Sequence, residues 1–175
     1  HRTSTFFGNG FVGHVQFGDP VCIALSGKLM VAAKTVGATL HEGGTYICME
    51  GPAFSSRAES LLYRSWGASV IGMTNAQEAK LAREAEIAFA SIALATDYDC
   101  WHVSESEVSV DDIIKVMQAN VETARQILVE TLRNLSPEFT NSQADALKFA
   151  LITDKSKIPE TTRCDLGLLL DRYLD

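Results

Sequence analysis

Asp97 and Asp99 stand one residue apart at the end of an apolar run, Ser91-Ile92-Ala93-Leu94-Ala95-Thr96. If extended backbone continues through them, residues i and i+2 project to one face, with side chains roughly 7 Å apart. Like charges at that spacing oppose each other's ionisation, and desolvation adds to the effect. One carboxyl can then stay protonated near neutral pH and donate a hydrogen bond while the other accepts. The plain alternative is an acidic turn in solvent. Three further places carry candidate chemistry. Phe54 precedes Ser56 and Glu59, where an aromatic ring can stack on a flat ligand or staple a core. Met73-Thr74 closes a second apolar run, and His14 lies in a start rich in glycine and phenylalanine. Cys100 and His102 adjoin the acidic pair and read as a structural thiol and a surface imidazole. The cysteines at 22, 48, 100 and 164 form no C-x-x-C pair, so no metal site is expected. Reduced thiols in a cytosolic protein are the simplest reading.

These residues need strands to end beside them. Residues 92–95 are apolar on both faces, as parallel strands of α/β proteins are, and the pattern predicts a buried strand over 88–96. Residues 45–49 and 69–73 predict two more strands. Ser56 with Glu59 forms a capping box, so a helix starts there and runs to Trp66, with Gly67 ending it. Asn75 with Glu78 forms a second box before a helix over 76–84. Ser109 with Asp112 suggests a third cap before a long helix carrying Val110, Ile113, Ile114, Met117, Val121, Ile127 and Leu132 at helical spacing. Further helical patterns cover 26–36, 143–151 and 162–174, and residues 1–20 read as a loop with aromatic anchors that needs cover. Strands alternating with helices predict an α/β fold with a mainly parallel sheet, in which ligands sit beyond the carboxyl ends of the strands.

Composition removes several function classes. The 175 residues carry a net charge of −7, which argues against a nucleic-acid-binding face. No apolar run approaches the length of a membrane helix, and no signal peptide is visible at the N-terminus. The P-loop, the dinucleotide fingerprint, the nucleophile elbow and the zinc-protease motif are all absent from the sequence. Side by side, the three strand ends would give a stacking ring, a soft apolar floor, small hydroxyls and two carboxylates. That combination suits a heteroaromatic ligand with basic ring nitrogens or an amino group, its sugar lying over the methionine.

Residues 46–60 (YICMEGPAFSSRAES), 66–75 (WGASVIGMTN) and 95–101 (ATDYDCW) together resemble 5′-methylthioadenosine phosphorylases, the trimeric branch of the purine nucleoside phosphorylase family. The resemblance is good over roughly residues 1–135 and weak in the C-terminal helices. It implies a phosphorylase-like mixed, mainly parallel sheet flanked by helices, forming one domain over 1–175. It also implies phosphorolysis of methylthioadenosine to adenine and 5-methylthioribose 1-phosphate, in purine and methionine salvage. By the same resemblance Asp97 meets purine N7 and Asp99 lies near the 6-amino group. Phe54 packs at base and ribose, Thr96 lines the base pocket and Met73 lies against the ribose. Thr74 contacts phosphate, Val110 and Ile113 line the 5′-methylthio pocket, and His14 reaches into a neighbouring subunit's 5′ pocket. The implied partners are nucleoside and phosphate in a homotrimer, with no cofactor beyond phosphate as co-substrate. The implied location is cytoplasmic, with a nuclear pool in a eukaryotic cell.

The family's subunit starts well before the position of His1. The first strands, a glycine-containing phosphate loop and an arginine–histidine pair that grips phosphate have no counterpart in this sequence. The fold is therefore expected to be incomplete without an upstream portion, and residues 1–175 alone are expected to be inactive. The opening His1-Arg2-Thr3 fits a processed chain, a truncated one, or one with further residues upstream. Competing readings are a phosphorylase for inosine, guanosine or methylthioinosine, a nucleoside hydrolase, and an inactive structural subunit or fragment.

Overall fold

Two β-branched, aromatic-rich segments pair in parallel: β1 (Thr45–Cys48) and β2 (Ala68–Gly72), with Tyr46 opposite Val70 and Cys48 opposite Gly72. The computed structural model describes residues 2–102 and 110–174, with the backbone alone for 110–113. Within it the chain forms two compact units, one of residues 1–25, 75–90 and 140–175, the other of residues 26–74 and 91–139.

The second of these units holds the sheet. The ladder continues one residue past β1, where Met49 N donates to Gly72 O at 2.8 Å. Between the strands runs α2 (Arg57–Ser65), and its start follows the expected capping box. Ser56 Oγ accepts from Glu59 N at 3.3 Å, and the Glu59 carboxylate accepts from Ser56 N at 2.8 Å. These bonds satisfy two backbone donors that the first helical turn leaves over, and the Ser56 donors hold the Glu59 carboxyl below its ordinary range. Gly67, at φ +79, takes the left-handed turn that lets the chain re-enter the sheet. A small core joins α1 (Ile23–Thr35) to α4 (Val110–Arg133): Ala32, Ala33 and Ile127 are buried, with Leu29, Val36 and Ile92 against them. Helix α1 starts three residues earlier than the apolar pattern predicts.

The predicted strand over 88–96 does not form. Residues 88–96 run as irregular chain, and 93–96 are exposed. A strand apolar on both faces needs a ladder partner and a cover on each face, and among the described residues the sheet has two strands only. Asn120 of α4 ties this stretch instead, donating from Nδ2 to Ala95 O at 2.8 Å.

The other unit is built on α3 (Asn75–Glu84), α5 (Glu160–Asp165) and α6 (Gly167–Leu174), with a short 3₁₀ turn at Lys155–Lys157. Its core gathers Phe11, Leu147, Ala150, Ile158, Leu166, Leu170 and Leu174. The aromatic start thus finds cover on its own chain: Phe11 is buried against the C-terminal helices, with Phe7 edge-on to it at 5.0 Å. Two charged residues at the end of α3 hold this start. Glu84 accepts from the Thr5 hydroxyl and Phe6 N, each at 2.7 Å, and Arg83 donates to the carbonyls of Gln16 and Asp19. The helix expected over 143–151 is a run of turns closed by i+3 bonds, such as Ala146 N to Gln143 O, because the segment must end in the Gly13–Leu151 antiparallel bridge. The expected helix over 162–174 starts at Glu160 and breaks at Leu166 into α5 and α6.

Candidate functional site

The site grows from the carboxyl edge of the β1–β2 pair. Because the strands are parallel and Cys48 faces Gly72, the loop after β1 and Met73-Thr74 after β2 leave the sheet at the same edge. They meet through Gly51. This residue sits at φ +70 before a cis peptide to Pro52, and a Cβ placed on it would lie 2.7 Å from Met73 Sδ. Glycine is needed there for both the backbone angle and the close approach. Met73 is half-buried, whereas Thr74 is exposed. Ser55 Oγ reaches Met49 Sδ at 3.5 Å, so the loop also folds back on its own strand. Phe54, between these anchors, presents 86 % of its surface to solvent, which argues against a core staple.

The acidic stretch joins the same loop through α2. Buried Ser60 donates from Oγ to Asp99 Oδ2 at 2.5 Å, while Cys100 N donates to Asp99 Oδ1 at 2.8 Å. Cys100 Sγ donates to Ser55 O at 3.4 Å. The Arg64 guanidinium lies 3.7 Å over the Trp101 ring. Ser60 and Arg64 are one helical turn apart and share a face, and they meet alternate residues, Asp99 and Trp101. Asp97 is exposed and accepts from the neighbouring Thr96 hydroxyl at 2.6 Å. The two carboxylates therefore differ in setting: Asp99 is held from both oxygens, and Asp97 sits on an outward turn. The expected strand geometry between them is absent, because the backbone bends at Asp97. Tyr98 points to a different set of rings, stacked on His102 at 4.6 Å.

Phe54, Met73, Thr74, Thr96, Asp97 and Asp99 thus lie on segments joined within one unit. His14 belongs to the other. From Phe11 to Phe17 burial alternates, and His14 falls on the outward side with Val12 and Gln16. Its backbone N donates to Ala150 O at 2.8 Å. Val110 and Ile113 belong to the first turn of α4, and their side chains lie outside the described residues, as does Ser109. Sequence reasoning missed Ser60 and Gly51. Gly51 carries a signal, a Gly-Pro pair directly after a strand, but Ser60 reads as an ordinary helix residue until Asp99 is seen on it. Among the described residues, no cluster of His, Cys, Asp and Glu could hold a metal ion, and no helix is long and apolar enough to cross a membrane.

Comparison with known proteins fits this geometry. The chain is 58 % identical to S-methyl-5′-thioadenosine phosphorylase of Geobacter sulfurreducens over 99 % of its own length and 60 % of the relative's. It is 53 % identical to the protein of the same name from Thermosynechococcus vestitus, again over 99 % of this chain and 62 % of that one. Among solved structures, a methylthioadenosine phosphorylase from an Antarctic soil metagenomic library superposes with a TM-score of 0.90 at 42 % identity, over 97 % of this chain and 60 % of that one. A mutant adenosine/methylthioadenosine phosphorylase from Schistosoma mansoni, in complex with methylthioadenosine, gives 0.72 at 26 % identity, over 98 % and 60 %. The chain spans about 60 % of the length of the curated relatives it matches. The family model described as the phosphorylase superfamily matches residues 1–133, the stretch that carries every candidate residue named above, and the chain belongs to that superfamily.

Proposed function

We propose that the protein to which these residues belong cleaves 5′-methylthioadenosine with phosphate, giving adenine and 5-methylthioribose 1-phosphate. The observation that carries this reading is Asp99, a carboxylate fixed by Ser60 and Cys100 against the loop that bears an exposed Phe54. A fixed carboxylate accepts hydrogen bonds, and a 6-amino purine donates them, whereas a 6-oxo purine presents another acceptor. Asp97 is the group that stabilises the departing base at N7. Cleavage builds negative charge on the purine while the ribosyl carbon becomes cationic, and a hydrogen bond or proton at N7 lowers that barrier, by a factor on the order of 10²–10⁴ for general acid catalysis. Phe54 stacks on the base, Thr96 lines its edge, Met73 supports the ribose and Thr74 contacts phosphate. Val110 and Ile113 enclose the 5′-methylthio group, since an apolar pocket takes a thioether better than a hydroxyl.

Phosphate is the co-substrate and no other cofactor enters the scheme. The groups that grip it, with the remaining strands of a single phosphorylase domain, lie in polypeptide beyond these residues, a reading supported by relatives that are longer by about two-fifths. The working unit is a homotrimer in the cytoplasm, serving purine and methionine salvage. His14 serves the neighbouring subunit's 5′ pocket, supported by its outward position beside the exposed apolar Val12 and Ile152, which are joined by an Ile152 N to Val12 O bond of 3.0 Å. The test is product analysis with the full-length protein. Adenine must form from methylthioadenosine in phosphate buffer and stop forming when phosphate is removed; adenine release without phosphate would indicate a hydrolase instead.

A further inference from the structure

We propose that Ser60 is a positioning residue for base selectivity: its hydroxyl fixes the Asp99 carboxylate so that it accepts from a 6-amino group and rejects a 6-oxo one. This inference rests on the purine reading above and adds to it a residue that does not itself touch the base.

Ser60 is 2 % exposed and lies in the first turns of α2, its backbone N bonded to Ser56 O at 3.0 Å. A serine inside a helix commonly turns its hydroxyl back on the preceding turn. Here the hydroxyl crosses to another segment and meets Asp99 Oδ2 at 2.5 Å. The second oxygen, Oδ1, takes Cys100 N at 2.8 Å. Donors on both oxygens fix the plane of the carboxyl group, and each oxygen keeps a lone pair for a further donor. A carboxylate free to rotate can swing away from an approaching carbonyl. One fixed at both oxygens cannot, so a 6-oxo base meets unrelieved acceptor-on-acceptor contact while a 6-amino base gains a hydrogen bond. The backing is rigid, because Arg64, one turn along the same face, covers Trp101 two residues beyond Asp99. Asp97 lacks such backing, being exposed and bonded to its neighbour Thr96. Ser60 therefore acts on selectivity through Asp99 and leaves the leaving-group chemistry to Asp97.

The experiment compares full-length wild type with Ser60→Ala, Ser60→Cys and Asp99→Asn. kcat and KM are measured separately for methylthioadenosine and methylthioinosine in phosphate buffer. Loss of one hydrogen bond to a charged group corresponds to roughly a tenfold effect. Ser60→Ala should lower the methylthioadenosine-to-methylthioinosine ratio of kcat/KM by roughly that factor, through KM for methylthioadenosine, with kcat little changed. Ser60→Cys, close in size and a weaker donor, should fall between, and it carries the test should the alanine variant fail to fold. Equal losses on both substrates, or an unchanged ratio alongside a reduced ratio in Asp99→Asn, would overturn the role of Ser60 and leave the purine reading intact. A wild-type preference for methylthioinosine would overturn both.

Discussion

Gly51 and Met73, each just past the end of its parallel strand, pack so closely that a Cβ on the glycine would lie 2.7 Å from the thioether sulfur. That contact ties the loop carrying Phe54 to the edge of β2. Gly51 also holds φ +70, a region costing roughly 1–2 kcal/mol for residues with a side chain.

Gly51→Ala should therefore destabilise the protein by at least about 1–2 kcal/mol in denaturant unfolding. Adding Met73→Ala should relieve the clash and leave only the backbone cost. The two changes should be non-additive, as for residues in direct contact. Simple additivity would mean that the two do not touch.

Tyr173 makes stability depend on pH at the alkaline end. Burial and a hydrogen bond from its hydroxyl to Glu86 Oε1, at 2.5 Å, push its pKa from 10.0 up to about 12. The folded state thus favours the neutral phenol. Its contribution is full below the unfolded value near 10 and is lost as pH rises through about 12. Tyr173→Phe should be less stable than wild type at pH 8, and the gap should close between pH 10 and 12. A gap independent of pH across that window would show that the hydroxyl is not held as described.

Asp97→Asn should lower kcat on methylthioadenosine by a factor on the order of 10²–10⁴. Asp165→Asn, at an exposed position of α5, should leave it unchanged. Steady-state kinetics on the full-length protein separates the two, and an undiminished rate in Asp97→Asn would remove its leaving-group role.

His14→Ala should raise KM for 5′-thio nucleosides and leave the unfolding midpoint close to wild type, because the side chain points outward and its anchoring bond is made by the backbone. A fall in stability with unchanged KM would show that His14 serves packing alone.

Local signals proved readable wherever the cause lies within a few residues. The Ser56–Glu59 box, the Gly67 stop and the two strands before Phe54 and Met73 form as their residue types dictate. So does the long helix α4 from its apolar spacing. What failed depends on distant partners. Residues 92–95 have the composition of a central strand, yet such a strand exists only with neighbours to take its hydrogen bonds and cover its faces, and the chain spans about three-fifths of its relatives. The 143–151 segment has helical apolar spacing, but its pairing with Gly13 demands a tighter path. Phe54, Met73 and Asp99 could be named from motifs, since each follows a strand-like run. Ser60 could not, because its meaning lies in a contact 39 residues away.

The most direct measurement is kcat/KM of the full-length protein for methylthioadenosine and for inosine, in the same phosphate buffer. A carboxylate wall that accepts from the 6-amino group, with an apolar 5′ pocket, predicts a preference for methylthioadenosine of at least about 10²-fold. Equal turnover, or a preference for inosine, would contradict the reading of Asp97 and Asp99 as the base-recognising pair.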